Sequence, residues 1–309
     1  MRNAIKVVLL FFSIIVSVGC FLVLRSHAIP VLYPSGVVAL QERGLLINAV
    51  LLMLIIIIPV IVFTIFVAWR YRASAHNPDY VPNFEQSVMD ELIWWSIPIE
   101  IVLVLGALTW SSTHALDPRQ PLVSTEAPLD IQVIALEAQW LFIYPDQGIA
   151  TTNFLEIPTD RPVHFLVTAD APMNSFWIPA LAGQIYAMTG MVNTLNVMTH
   201  ATGTFSGSSA NYSGEGFSRM SFDVRAVPKN QFEMWIQNAR AGHDRLSDVS
   251  YSDLHGTALD TSARSYASVQ SGIFDRIIMK FMSPATHLPA SASESTTSTS
   301  SLNVNSMQP

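Results

Sequence analysis

One cysteine, Cys20, occurs in 309 residues, and it stands close to the start of the chain. The rest of the protein therefore closes no internal disulfide and offers no thiolate to a metal. Basic residues are scarce as well: 16 Lys and Arg against 23 Asp and Glu leave a formal charge of −7 with no basic cluster, which removes nucleic acid from the partners to consider. Charged residues of both signs make up only 13% of the chain and hydrophobic ones 50%, too apolar a balance for an ordinary soluble domain. The apolar excess is concentrated before residue 115.

Residues 1–20 place Arg2 and Lys6 ahead of the run VVLLFFSIIVSV and then Gly-Cys, the layout of a secretory signal cleaved before Cys20. Gly-Cys after such a run also suggests a lipoprotein signal, with Cys20 as the lipid attachment point and Ser17 where leucine is usual. An uncleaved third membrane helix with an inert Cys20 is the competing reading. Residues 21–43 follow as an exported N-terminal segment.

Residues 44–69, about 26 positions without a charge, are long enough to cross a hydrocarbon layer of roughly 30 Å with some tilt, and a neighbour or a local kink can satisfy the carbonyl freed by Pro59. A second span covers 92–113, with Trp94, Trp95 and Trp110 at its two ends, where indole rings favour the headgroup layer. Arg70 and Arg72 lie in the connecting loop 70–91, but Arg25 and Arg43 flank the other side, so positive charge leaves the orientation open. An exported N-terminus decides it: the loop is cytoplasmic, and everything after Thr113 is outside.

From Asp117 the pattern changes to short alternating segments such as IQVIAL (131–136) and PVHFLVTA (162–169), broken by Pro, Gly, Asn and Asp. These predict an antiparallel β-sandwich or barrel over 117–227, in which Trp140, Phe142 and Tyr144 alternate as core residues. After Pro228, KNQFEMWIQNAR spaces Phe232, Trp235 and Ile236 as a helix does, and SGIFDRIIMKFM (271–282) predicts another within a helical extension over 228–284. The Ser/Thr-rich stretch 285–309 has too few apolar groups for a core and reads as disordered.

Several longer strings add a resemblance. AWRYRAS (68–74), Glu91 seven residues before Pro98, THALDP (113–118), WLFIYPDQGIA (140–150), MNSFWIP (173–179) and QIYAMTGM (184–191) together resemble subunit II of the haem-copper respiratory oxidases over nearly the whole chain. That family implies a membrane α+β protein: a two-helix transmembrane hairpin, then a cupredoxin-like sandwich with C-terminal helices. Its copper-bearing members hold a binuclear copper centre with two cysteines, two histidines, a methionine and a backbone carbonyl, soft ligands suited to electron transfer. Carried onto this sequence, the first histidine position is Asn174, the cysteine positions are Ser209 and Ser213, the carbonyl donor is Asn211, and the second histidine position is Phe217. Met220 alone is retained. One thioether and neutral hydroxyls do not bind two coppers. The bland alternative for these positions is that Asn174, Ser209 and Ser213 hydrogen-bond one another in a buried polar pocket.

Loss of that centre marks the quinol-oxidising branch, and NYSGEGFSRM (211–220) resembles the SYSGPGFSGM type of loop of the bo-type ubiquinol oxidases. Ala138, where the family has the first Trp of a Trp-x-Trp pair ending at Trp140, agrees with electrons that bypass this domain. Glu91 matches the carboxylate that opens the proton path named for its lysine in subunit I; the bland reading is a helix-start acid favoured by the macrodipole. Glu100 falls mid-membrane, as a proton relay or as a contact to a polar group of subunit I. His114, His164, His200, His243 and His255 show no ligand spacing.

The resemblance implies a non-redox subunit II of a proton-pumping ubiquinol oxidase in a bacterial inner membrane, multi-pass, with its C-terminal domain in the periplasm. It implies no cofactor in this chain, haems and one copper in subunit I, ubiquinol reaching the complex through subunit I, subunits III and IV and membrane lipid as further partners, and no cytochrome c. A membrane-anchored scaffold or copper carrier outside an oxidase and a cytochrome c oxidase subunit are the rivals, the second opposed by the ligand count; a lipid-anchored adhesion module is a further one.

Overall fold

The computed structural model describes residues 14–15, 17–19, 21–22, 29–72, 87–256 and 262–282. Cys20, most of the loop 70–91 and the tail 285–309 lie outside the described residues.

Two long helices come first, α1 (Val37–Arg70) and α2 (Val88–Ala115). Both are long and apolar enough to cross a membrane. Each is longer than the apolar run alone predicts, which was 44–69 for α1 and 92–113 for α2. The early start of α1 has a tertiary cause. Its first-turn N–H groups, which a helix cannot satisfy internally, are taken up by the sandwich: Val37 N donates to Met198 O at 2.9 Å and Ala39 N to Leu181 O at 3.2 Å. Gly36 N donates to Ala180 O at 2.9 Å, and a Cβ at Gly36 would fall 2.0 Å from Leu181 O, so the close approach requires glycine. At 34 residues α1 is about 51 Å long, more than a hydrocarbon core of about 30 Å, and its docked first turns before Gly44 supply about 10 Å of that surplus. At the start of α2, Ser87 Oγ accepts from Asp90 N at 3.4 Å, and Asp90 and Glu91 occupy the first turn, where acids are favoured.

The sandwich has a six-stranded sheet in the order β12 (Arg264–Tyr266), β3 (Ile149–Thr152), β2 (Trp140–Tyr144), β1 (Leu129–Ala135), β5 (Val163–Ala169) and β8 (Asn193–Val197), and a five-stranded sheet in the order β4 (Phe154–Pro158), β10 (Ser221–Val227), β9 (Gly203–Ser209), β6 (Asn174–Trp177) and β7 (Ile185–Ala187). Its inner core is aromatic: Trp140, Phe142 and Tyr144 of β2 (Trp140–Tyr144) are fully buried, and Phe176 stacks on Phe222 with ring centroids 5.3 Å apart. Not every pair is antiparallel. β1 (Leu129–Ala135) pairs parallel with β5 (Val163–Ala169), and β4 (Phe154–Pro158) parallel with β10 (Ser221–Val227). Between β1 and β5 the chain crosses to the other sheet through β4, so two sequence-distant strands meet in the same direction; alternation of side chains carries no information about strand direction.

The C-terminal extension is not helix alone and not separate. It contains α3 (Lys229–Arg240), α4 (Asp248–Gly256) and α5 (Ile273–Met282), with β11 (Arg245–Leu246) and β13 (Ser268–Val269) paired, and β12 (Arg264–Tyr266) joined to the edge of the larger sheet. The outer face of that sheet is covered by it: Ile134, Leu141 and Ile143 pack with Leu246, Leu254, Ile273, Phe274 and Ile277 in a second core. This explains why all five residues of β2 are buried rather than every other one.

Candidate functional site

The positions carried over from the family converge at one end of the smaller sheet. Asn174 opens β6 (Asn174–Trp177), Ser209 closes β9 (Gly203–Ser209), and the loop between β9 and β10 turns through Gly214 and Gly216, both at positive φ, into a single 3-10 turn, Phe217–Arg219. Asn174 is fully buried and Met220 nearly so. The Ser209 hydroxyl is 2.5 Å from Asn174 Oδ1 and 3.1 Å from Asn211 O, one proton shared between two acceptors. Asn174 Nδ2 donates to Pro172 O at 3.2 Å.

Ser213 does not join this pair. Its hydroxyl donates to Met220 Sδ at 3.8 Å. Phe217 packs edge-on against Tyr212, centroids 5.6 Å apart. The structure thus brings Asn174, Ser209 and Asn211 into one contact group and Ser213 with Met220 into another. As a donor set this is amide, hydroxyl, carbonyl and one thioether, with the hydroxyls already engaged to their neighbours. Two coppers require thiolate and imidazole, so these residues do not fit the binuclear centre. No cluster of three or more His, Cys, Asp or Glu suited to a metal occurs among the described residues.

A residue that sequence reasoning left out of the pocket is Gly216. A Cβ there would lie 2.8 Å from the Ala138 Cβ, so the loop rests directly on Ala138. The small side chain at 138 and the glycine at 216 fit each other. Trp140 braces the same loop from below, its Nε1 donating to Met220 O at 3.4 Å.

Glu91 and Glu100 lie on α2, separated from this pocket by the length of the membrane helix. Both are exposed on the chain alone. Nine residues separate them, a rise of about 14 Å and a rotation of about two and a half turns, so they stand on opposite faces of α2. The two carboxylates therefore meet different surroundings.

The histidines are dispersed. His164 Nδ1 pairs with Asp130 at 2.9 Å, His200 Nδ1 with Asp160 at 2.6 Å, His255 Nε2 with Asp170 at 3.0 Å, and His114 Nδ1 contacts Trp110 O at 2.8 Å. The densest polar cluster is the one around Asp170, which the sequence did not reveal. Tyr251 Oη donates to Asp170 Oδ2 at 2.8 Å and Lys280 Nζ to Oδ1 at 2.7 Å. A second buried acid, Glu156, is held by Arg225 at 2.5 Å across the paired strands β4 and β10; burial pushes its carboxyl up despite the guanidinium.

Comparison with known proteins matches residues 131–227 to the family model of the periplasmic domain of cytochrome c oxidase subunit II. The chain is 44% identical over 248 residues to the cytochrome bo(3) ubiquinol oxidase subunit 2 of Pseudomonas aeruginosa, covering 80% of this chain and 75% of that protein. It is 42% identical, over 80% of this chain and 79% of the other, to the protein of the same name from Pseudomonas putida. Among solved structures, the periplasmic domain of cytochrome oxidase subunit II from Bradyrhizobium japonicum aligns at 22% identity over 38% of this chain and 96% of that one, with a TM-score of 0.36.

Proposed function

We infer the role of this chain from its kinship: it belongs to the ubiquinol oxidase subunit 2 family, the quinol branch of cytochrome oxidase subunit II. It is a membrane protein and a subunit of a haem-copper ubiquinol oxidase, and other oxidase subunits are its partners.

Within that complex the finer assignment is a subunit without a redox centre. The observation that carries it is the Ser209–Asn174 hydrogen bond: two former ligand positions satisfy each other in a buried pocket, where a copper centre would need both as soft donors. Electrons then pass from ubiquinol to subunit I, which holds the haems and the single copper, without crossing the sandwich. This chain contributes the membrane hairpin, a periplasmic cover fastened to it through residues 35–42, and a carboxylate, Glu91, at the cytoplasmic proton entrance. Subunits III and IV complete the complex in the bacterial inner membrane, and Cys20 is the site of lipid attachment after signal cleavage.

Mild-detergent purification through a C-terminal tag, followed by optical spectra, copper analysis of this chain and oxygen-uptake assays, tests the reading. The expected result is co-purified haem, quinol-dependent oxygen uptake, no oxidation of cytochrome c and no copper on this chain. Two coppers bound to it would restore the cytochrome c reading; absence of haem would return the chain to a free-standing scaffold.

A further inference from the structure

Where α1 docks onto the sandwich, a cavity of about 330 Å³ opens between the first turns of α1, the segment that follows α2 and strand β8 (Asn193–Val197). That is within the range of clefts that hold small ligands, about 300–1,000 Å³. Its lining holds two charged residues, Glu42 and Asp117, and neither lysine nor arginine.

Glu42 is the fixed one. Its Oε1 accepts from Gly183 N at 3.1 Å, and a Cβ at Gly183 would fall 2.6 Å from that oxygen, so the carboxylate lies directly against the backbone at 183 and a side chain there would have to push it aside. No ion pair to Glu42 exists among the described residues. A half-buried carboxylate with one oxygen anchored and no counter-charge favours a cation from outside the chain. The rest of the lining is suited to a molecule that is polar at one end only: Gln184 and Asn196 stand beside Leu116, Leu195 and Met198.

The cavity also has a definite depth. The uncharged run of α1 begins two residues past Glu42, and Ala115 of the lining ends α2, five residues beyond Trp110. Both helices thus leave the hydrocarbon at this level, which is that of the lipid headgroups on the sandwich side of the membrane.

We propose that this cavity is a binding site for the head group of an aminophospholipid, whose primary ammonium donates to Glu42 while its glycerol region lies along the apolar wall. The ammonium is the cation that a bilayer presents at this level, and its N–H groups give the charge-assisted hydrogen bond that the free carboxylate oxygen lacks. The proposal rests on the membrane placement given under Proposed function.

Native mass spectrometry of the purified, partly delipidated oxidase, titrated with phosphatidylethanolamine, phosphatidylcholine and phosphatidylglycerol, tests it. Phosphatidylethanolamine should be retained roughly tenfold more tightly than either of the others, the size of one charge-assisted hydrogen bond. Glu42→Gln keeps the acceptor for Gly183 N and should erase the preference with haem content unchanged. Equal retention of the three lipids, or a preference that survives Glu42→Gln, would overturn the proposal. So would photo-cross-linking from position 123 that captures a neighbouring polypeptide instead of lipid. The purified complex separates the two claims: a tagged chain that co-purifies without haem counts against the oxidase reading, whereas a lost lipid preference in a haem-bearing complex counts against this site.

Discussion

Lys280 Nζ stands 2.7 Å from Asp170 Oδ1, although the two residues are 110 positions apart in the chain. Asp170 follows β5 and Lys280 lies near the end of α5, so the contact fastens the last helix to the sandwich. Tyr251 and His255 of α4 meet the other oxygen at 2.8 and 3.0 Å. One buried carboxylate thus receives donors from both helices that cover the outer sheet.

That carboxylate should make the extension acid-labile. Burial pushes the Asp170 carboxyl up, but hydrogen bonds from His255, Lys280 and Tyr251 outweigh it and hold the group at about 2, against an ordinary 3.8. Because the folded value is the lower one, its stabilisation is complete above about pH 4 and is lost as pH falls through about 2. Asp170→Asn should cost about 2 kcal/mol at neutral pH and flatten that acid limb. Hydrogen exchange of the α4 and α5 amides in the intact complex measures it; unchanged protection in the variant would contradict the assignment.

The pocket of Asn174 and Ser209 makes a different prediction. Asn174→Ala and Ser209→Ala each leave a polar partner unpaired in a buried site and should each cost about 1–3 kcal/mol. The double variant should cost less than the sum, since neither orphan then remains. Quinol oxidation per haem should not change in any of the three. A fall in turnover with intact folding would mean that the domain participates in electron transfer after all.

How much of this the sequence shows depends on whether the cause is local. The hairpin is legible because apolar runs and terminal tryptophans are local signals, and α3 begins after Pro228 because proline and helical spacing are local as well. The hydrogen bond between Asn174 and Ser209 is legible because the family resemblance aligns both positions, one opening β6 and one closing β9. The start of α1 at Val37 is not, because its first N–H groups are satisfied by Leu181 and Met198, far away in the chain. The parallel pairing of β1 with β5 and the cluster around Asp170 are hidden for the same reason. The fit of Gly216 on Ala138 joins two unremarkable small residues, which only their separation in space makes informative.

Gly36 and Gly44 provide a controlled comparison on one helix. A Cβ at Gly36 meets backbone atoms of Leu181 at 2.0–2.6 Å, which cannot swing away, whereas at Gly44 nothing lies within 4 Å. Gly36→Ala should therefore loosen α1 from the sandwich at a cost of about 1–3 kcal/mol or more, and Gly44→Ala should be neutral or slightly stabilising for the helix. Limited proteolysis of the purified complex reads the difference as faster release of the sandwich domain in Gly36→Ala alone. Equal cleavage of the two variants would show that the docked end of α1 does not hold the domain.

Glu91 and Glu100 should behave as independent groups. About 14 Å apart on opposite faces of α2, they share no neighbour, so the effects of Glu91→Gln and Glu100→Gln on turnover should multiply in the double variant. If Glu91 opens the proton entrance, its replacement slows proton uptake and turnover several-fold while haem content holds, the range typical of a lost proton-transfer group being larger still, about 10²–10⁴, when no bypass exists. Glu100 lacks a hydrogen-bond or ion-pair partner among the described residues, and a carboxylate in hydrocarbon is costly without one. Glu100→Leu should then lower the haem that co-purifies with the tagged chain, because the donor comes from a neighbouring helix of the complex; unchanged haem content would contradict that contact. A double variant no slower than Glu91→Gln alone would place both carboxylates on a single proton path, against the geometry of the helix.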